Sequence, residues 1–143
     1  MKQYVGAAAT TIHAPVEQVW AVLQDVSAWP AWDANFLNVE GTAAPGEQVH
    51  LSSALFPDRV VTVRVTEFVP NFRLTLTSGE PEAAYQGQHT YILIPKSDED
   101  VEFVTYEFFS GSVPEAVLQA SPAITASFRQ FAARLKRRAE APV

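Results

Sequence analysis

The chain has 143 residues, 48% of them apolar and 11% aromatic, with no cysteine and a formal net charge of −6. That length is read as one domain over residues 1–143, because a core of this size buries roughly 70% of the surface an unfolded chain exposes. The missing cysteine excludes disulfides, thiolate metal sites and cysteine nucleophiles, and the acidic balance speaks against nucleic acid, whose phosphates need a basic face.

Residues 1–13 carry neither the charged start nor the apolar run of a signal peptide, and no stretch approaches the ~20 apolar residues that span a bilayer. The expectation is a cytoplasmic protein with no integral membrane association. Along the chain, "QYVGAAATTIH" (3–13) is rich in β-branched residues and predicts an opening strand. Pro15 then suits the first position of a helix, followed by an apolar stripe of Val16, Val19, Trp20, Leu23 and Val26. Pro30 prevents that helix from running on, and Ser27 is placed to cap a short second helical turn. From Leu37 to about residue 111 the pattern is β. Strands are predicted at Leu37–Thr42, Gln48–Ser53, Asp58–Val69, Phe72–Thr77, Tyr85–Pro95 and Val101–Ser110. Turn chemistry separates them at 44–47, at Pro57-Asp58 and Pro70-Asn71, and at 78–82 and 96–100. Such short connections make consecutive strands antiparallel neighbours. After a looser piece over "SVPEAVLQA", Ser121 reads as an N-cap with Pro122 at the first helical position. Ile124, Phe128, Phe131 and Leu135 then form one apolar stripe on a long terminal helix.

The order of strand, two short helices, six strands and one long helix resembles the START-like, Bet v 1-like superfamily, in its polyketide cyclase/dehydrase-type branch. The residues that carry the resemblance are "IHAPVEQVWAVLQDVSAWPAWD" (12–33), "GQHTYILIP" (87–95) with "VEFVTYEFFSG" (101–111), and "FRQFAARLKRRAE" (128–140). The resemblance implies an α+β helix-grip fold, in which a seven-stranded antiparallel sheet wraps around the C-terminal helix and encloses an apolar cavity. It also implies that Trp20 anchors the first helix, while Trp29 and Trp32 pin the corner between the short helices, where at least one of them can also face a ligand.

A hairpin symmetric about Asp98 pairs position i with 196 − i, so His89 stands opposite Glu107, Tyr91 opposite Thr105 and Leu93 opposite Phe103. These six side chains and Phe109 share one face, and the resemblance makes that face the concave one. A register slip of one residue would reverse it. In an apolar cavity, a His89–Glu107 pair is either a proton-transfer couple or a self-satisfied polar pair that orients a ligand. Expected ligand contacts are Trp29, Trp32, Phe56, Tyr91, Leu93, Phe103, Thr105, Phe109, Phe128 and Phe131. The apolar tip Leu55-Phe56 beside Pro57 is read as a buried loop, a cover for the cavity mouth or a membrane contact. His13, His50 and His89 show no ligand spacing, so neither a metal nor a cofactor is expected.

Five of the ten cations, Arg129, Arg134, Lys136, Arg137 and Arg138, crowd into the end of the chain. They suit a helix C-terminus, and they leave room for transient contact with a membrane or an acidic protein partner. The leading functional expectation is binding of a hydrophobic small molecule (a lipid, isoprenoid or aromatic polyketide-like compound) by a carrier or sensor. The alternatives are a cyclase/dehydratase-type enzyme using His89 and Glu107, and a co-chaperone-like interaction module.

Overall fold

The computed structural model describes residues 2–80 and 82–142, so Pro81 of the expected 78–82 turn lies outside the described residues. In chain order the elements are β1 (Lys2–Ile12), α1 (Val16–Gln24), a tight helical turn (Val26–Ala28), α2 (Trp29–Trp32) and β2 (Phe36–Gly41). Then come β3 (Gln48–Ser53), β4 (Phe56–Val69), β5 (Arg73–Ser78), β6 (Tyr85–Ser97), β7 (Asp100–Gly111), α3 (Glu115–Gln119) and α4 (Ser121–Glu140). The described strands form one seven-stranded antiparallel sheet in the order β1-β7-β6-β5-β4-β3-β2. Five consecutive hairpins therefore build a meander, and β1 returns to cover the free edge of β7. This is the helix-grip arrangement expected from the sequence.

Helix α4 lies along the concave face. Its buried residues Ile124, Phe128, Phe131, Ala132, Leu135 and Ala139 recur at the spacing of one helical face. Two contacts fix its start against β1. Ser121 Oγ donates to Val5 O at 2.5 Å, and Thr125 Oγ1 donates to the same carbonyl at 3.3 Å, where the β1–β7 ladder slips by a residue. Gly6 permits this approach, because a Cβ there would stand 2.5 Å from Thr125 Oγ1. Ser121 is thus the first helical residue rather than the N-cap, which is Ala120. Its hydroxyl serves the sheet because the bulge exposes an acceptor within reach.

Other local expectations shift by small amounts with clear causes. Pro15 takes the N-cap of α1, and its carbonyl accepts from Gln18 N and Val19 N. Ser27 lies inside the tight turn that Asp25 precedes and caps nothing. Strand β4 starts at Phe56, since Ala54-Leu55 makes the turn. Residues 57–60 bulge out between the Ser53–Phe56 and Leu51–Val61 pairs, and a bulge is one of the few strand positions open to Pro57. Asn71 supplies the left-handed residue (φ 66°) of the β4–β5 turn.

Candidate functional site

Between the concave face and α4 lies a cavity of about 480 Å³. Its walls come from β4 (Val61, Val63), β5 (Leu76), β6 and β7, and its roof from Ile124, Phe128 and Phe131 of α4. The β3–β4 tip supplies Leu55, Phe56 and Val60 at the rim, of which Leu55 and Val60 are 40% and 73% exposed. The tip therefore stands at the cavity mouth, one of the roles its sequence left open. Phe109 crosses above β6 because position 87 is glycine: a Cβ there would stand 2.7 Å from the Phe109 ring.

The β6–β7 register places His89 opposite Glu107, Tyr91 opposite Thr105 and Leu93 opposite Phe103. The relation holds from Tyr85–Gly111 to Pro95–Val101, and then an irregularity at Lys96 moves the turn to Asp98-Glu99, with Ser97 facing Asp100. On this face His89 engages Thr105 and Tyr91, and it makes no hydrogen bond to Glu107. His89 Nε2 lies 2.7 Å from Thr105 Oγ1, and the Tyr91 hydroxyl lies 3.2 Å from His89 Nδ1. Thr105 Oγ1 gives its only proton to the Thr90 carbonyl at 3.0 Å, so the proton between Nε2 and Thr105 belongs to the imidazole. Nδ1 is then the acceptor for Tyr91 O–H. His89 is a neutral, fully satisfied imidazole, stacked on Tyr91 at 4.3 Å and tilted against Phe128 at 4.4 Å. Burial lowers its pKa to about 3, because the low-dielectric interior penalises the charged ring.

The expected His89–Glu107 couple is therefore corrected to two separate groups. Among the described residues Glu107 makes no hydrogen bond or ion pair, and its carboxyl faces the cavity. Burial alone raises its pKa from 4.5 to about 7. A second carboxylate closes one end. Asp33, which is completely buried, accepts from Arg134 Nη1 at 2.6 Å and from Asn35 N at 3.0 Å, while its Oδ2 is buried without a partner. The Tyr91 hydroxyl sits in the field of both acids. Burial first, then the charges of Glu107 and Asp33, push its pKa well above 10.

Of the residues expected to meet a ligand, Phe56, Tyr91, Thr105, Phe109, Phe128 and Phe131 line the cavity, with His89 and Glu107. Trp29, Trp32, Leu93 and Phe103 do not. Leu93 and Phe103 are wholly buried in the core at the far end of the sheet, where α1 and α4 close against it. Trp29 is 1% exposed, donates from Nε1 to Leu23 O at 2.9 Å and packs on Phe36, Tyr91 and Phe131. Trp32 lies behind Phe131. Both tryptophans thus support the lining from behind, and Trp20 packs edge-on against Phe68. Sequence reasoning missed Asp33, Phe36, Leu76 and Tyr85 in the wall. The alternation Leu74-Leu76 could have found one of them, but nothing local marks Asp33, whose partner Arg134 is 101 residues away. Among the described residues no group of three or more His, Cys, Asp or Glu side chains is placed to hold a metal ion, and no helix is long and apolar enough to cross a membrane.

Comparison with known proteins follows the same outline. The sequence family described as polyketide cyclase / dehydrase and lipid transport matches residues 6–140. A START superfamily protein from Mycobacterium smegmatis superposes with a TM-score of 0.73 at 11% identity, covering 95% of this chain and 99% of that one. The Zhui aromatase/cyclase from Streptomyces sp. R1128 gives 0.72 at 18% identity, covering 99% and 98%. Norcoclaurine synthase from Thalictrum flavum gives 0.73 at 13% identity, covering 97% and 94%. At these identities the likeness is one of fold. Among curated proteins, none matches the chain.

Proposed function

The chain belongs to the polyketide cyclase / dehydrase and lipid transport family, and from that premise we propose that it binds a hydrophobic small molecule as a cytoplasmic carrier or sensor, with residues 1–143 acting as one ligand-binding domain. The observation that carries this reading is the cavity itself: about 480 Å³, walled mainly by aliphatic and aromatic side chains, with few polar groups converging on it. That volume lies in the range of drug-sized ligands. Phe56, Phe109, Phe128 and Phe131 would contact the apolar body, and Tyr91, Thr105 and Glu107 would face its polar part.

The test is native mass spectrometry of freshly purified protein, followed by extraction of whatever is released. Wild type should carry a discrete apolar adduct. A Val61→Trp variant, which fills the cavity from the β4 wall, should carry none while unfolding at the same urea concentration. Equal adduct loading in both proteins would refute the cavity as the site.

One observation favours a second reading, a proton-transferring enzyme of the cyclase or dehydratase kind. Glu107 is an unpartnered carboxyl in an apolar cavity, poised near neutrality, which suits a general acid or base. Glu107 replaces His89 in that role, since both imidazole nitrogens are committed.

A further inference from the structure

The hydrogen-bond inventory of the cavity leans towards acceptors. Ser53 and Tyr85 keep free hydroxyls on the half-buried wall, but three other hydroxyls have already spent their protons. Tyr91 gives its own to His89 Nδ1, Thr105 to the Thr90 carbonyl, and Ser127 to the Ile124 carbonyl at 2.6 Å. The one N–H of the His89 ring goes to Thr105. What these groups leave for a ligand is acceptors: the Tyr91 oxygen, the Ser127 oxygen and above all the unpartnered Glu107 carboxyl, with the partnerless Asp33 Oδ2 at the end wall. Among the described residues no interior cation balances Glu107. Arg134 is held by Asp33 at 2.6 Å, and Arg59 is exposed at the rim beside Phe56. The rings of Phe36, Phe56, Tyr85, Phe109, Phe128 and Phe131 complete the wall, and aromatic faces attract cations.

From this inventory we infer that the ligand is an organic cation, an apolar, aromatic-sized body bearing a protonated amine that ion-pairs with Glu107 inside the aromatic wall. This deepens the proposed binding function and rests on it. The amine supplies a donor and the missing positive charge together, and such pairing offsets the cost of burying the carboxylate. The groups facing Glu107 agree with this. His89 across the ladder is neutral and Tyr91 carries a hydroxyl whose proton is engaged, so neither competes for the ammonium. Asp33 keeps a free Oδ2, but its charge is balanced by Arg134, which leaves Glu107 as the unbalanced acid of the described lining.

Three probes with one body and different heads test the inference by isothermal titration at neutral pH: diphenylpropylamine, diphenylpropanol and diphenylpropanoic acid. The amine is expected to bind at least about tenfold more tightly than the alcohol, and the acid most weakly. In Glu107→Gln the amine-to-alcohol ratio should fall to about one. If alcohol or acid binds wild type as tightly as the amine, or if Glu107→Gln keeps the amine preference, the cation assignment is overturned while the cavity reading stands. Tightest binding by the acid would move recognition to Arg59. If none of the three binds, both the assignment and the cavity reading fall.

Discussion

Replacing Glu107 by Gln should stabilise the protein in a pH-dependent way. The carboxyl is buried against the cavity with no partner, and burial raises its folded-state pKa from 4.5 to about 7. The sign follows from proton linkage. Between those two values the folded state binds a proton that the unfolded state releases, so the Glu107 contribution to stability falls as pH rises through this window. Below it both states are protonated and the group contributes nothing. Above it the full cost of burying the charge applies, and at about 1.4 kcal/mol for each pKa unit it reaches about 3 kcal/mol. Gln has the same shape and no proton to lose. Urea unfolding of wild type and Glu107→Gln, in steps from about pH 4 to about pH 8, should show equal stability at the acid end and a Gln advantage rising to about 3 kcal/mol at the alkaline end. Subtracting the two curves removes every other titration, that of His89 included. An advantage that is flat with pH would refute the reasoning, and one that shrinks as pH rises would mean that Glu107 is paired with a positive group.

His89 should act in the opposite direction. Its pKa falls from 6.5 to about 3 on burial, so the unfolded chain takes up the proton first and stability is lost as pH drops below about 6.5. Long-range proton–nitrogen NMR should show the Nε2–H tautomer of His89 unchanged down to about pH 5, and protonation near the ordinary value would contradict its position in the Tyr91–Thr105 chain. Arg134→Met should cost about 2–3 kcal/mol, less than the roughly 3–5 kcal/mol of a fully buried pair, because the arginine is 31% exposed while Asp33 is 0% exposed. Adding Asp33→Asn should recover most of that loss in thermal or urea unfolding. A double variant no more stable than the single one would mean that the arginine acts through packing alone.

Much of the architecture was legible because period and punctuation are local. The spacing of Ile124, Phe128, Phe131 and Leu135 marks one helical face whatever lies opposite. The turn residues around the six later strands set antiparallel neighbours, so the pairing of His89 with Glu107 followed from arithmetic on one hairpin. That arithmetic survived a misplaced turn, since the irregularity at Lys96 absorbs the offset before it reaches the site. The resemblance in residues 12–33 carried the fold further than periodicity alone could.

Sequence by itself determined which side chains share a face, because alternation along a strand has a fixed period of two, and the family resemblance took that face as the concave one. Only the tertiary structure decided which of them line a cavity and which are sealed beneath it. Leu93 and Phe103 share a face with His89 and Glu107, but they lie where the sheet meets α1 and α4, and the strand pattern carries no information about that curvature. The same holds for hydrogen bonds. Whether His89 meets Glu107 or Thr105 turns on side-chain packing within one face, and whether Asp33 is solvated or clamped by Arg134 depends on residues 101 positions apart. A one-dimensional pattern specifies direction and neighbour, whereas partner choice and accessible volume come from packing in three dimensions.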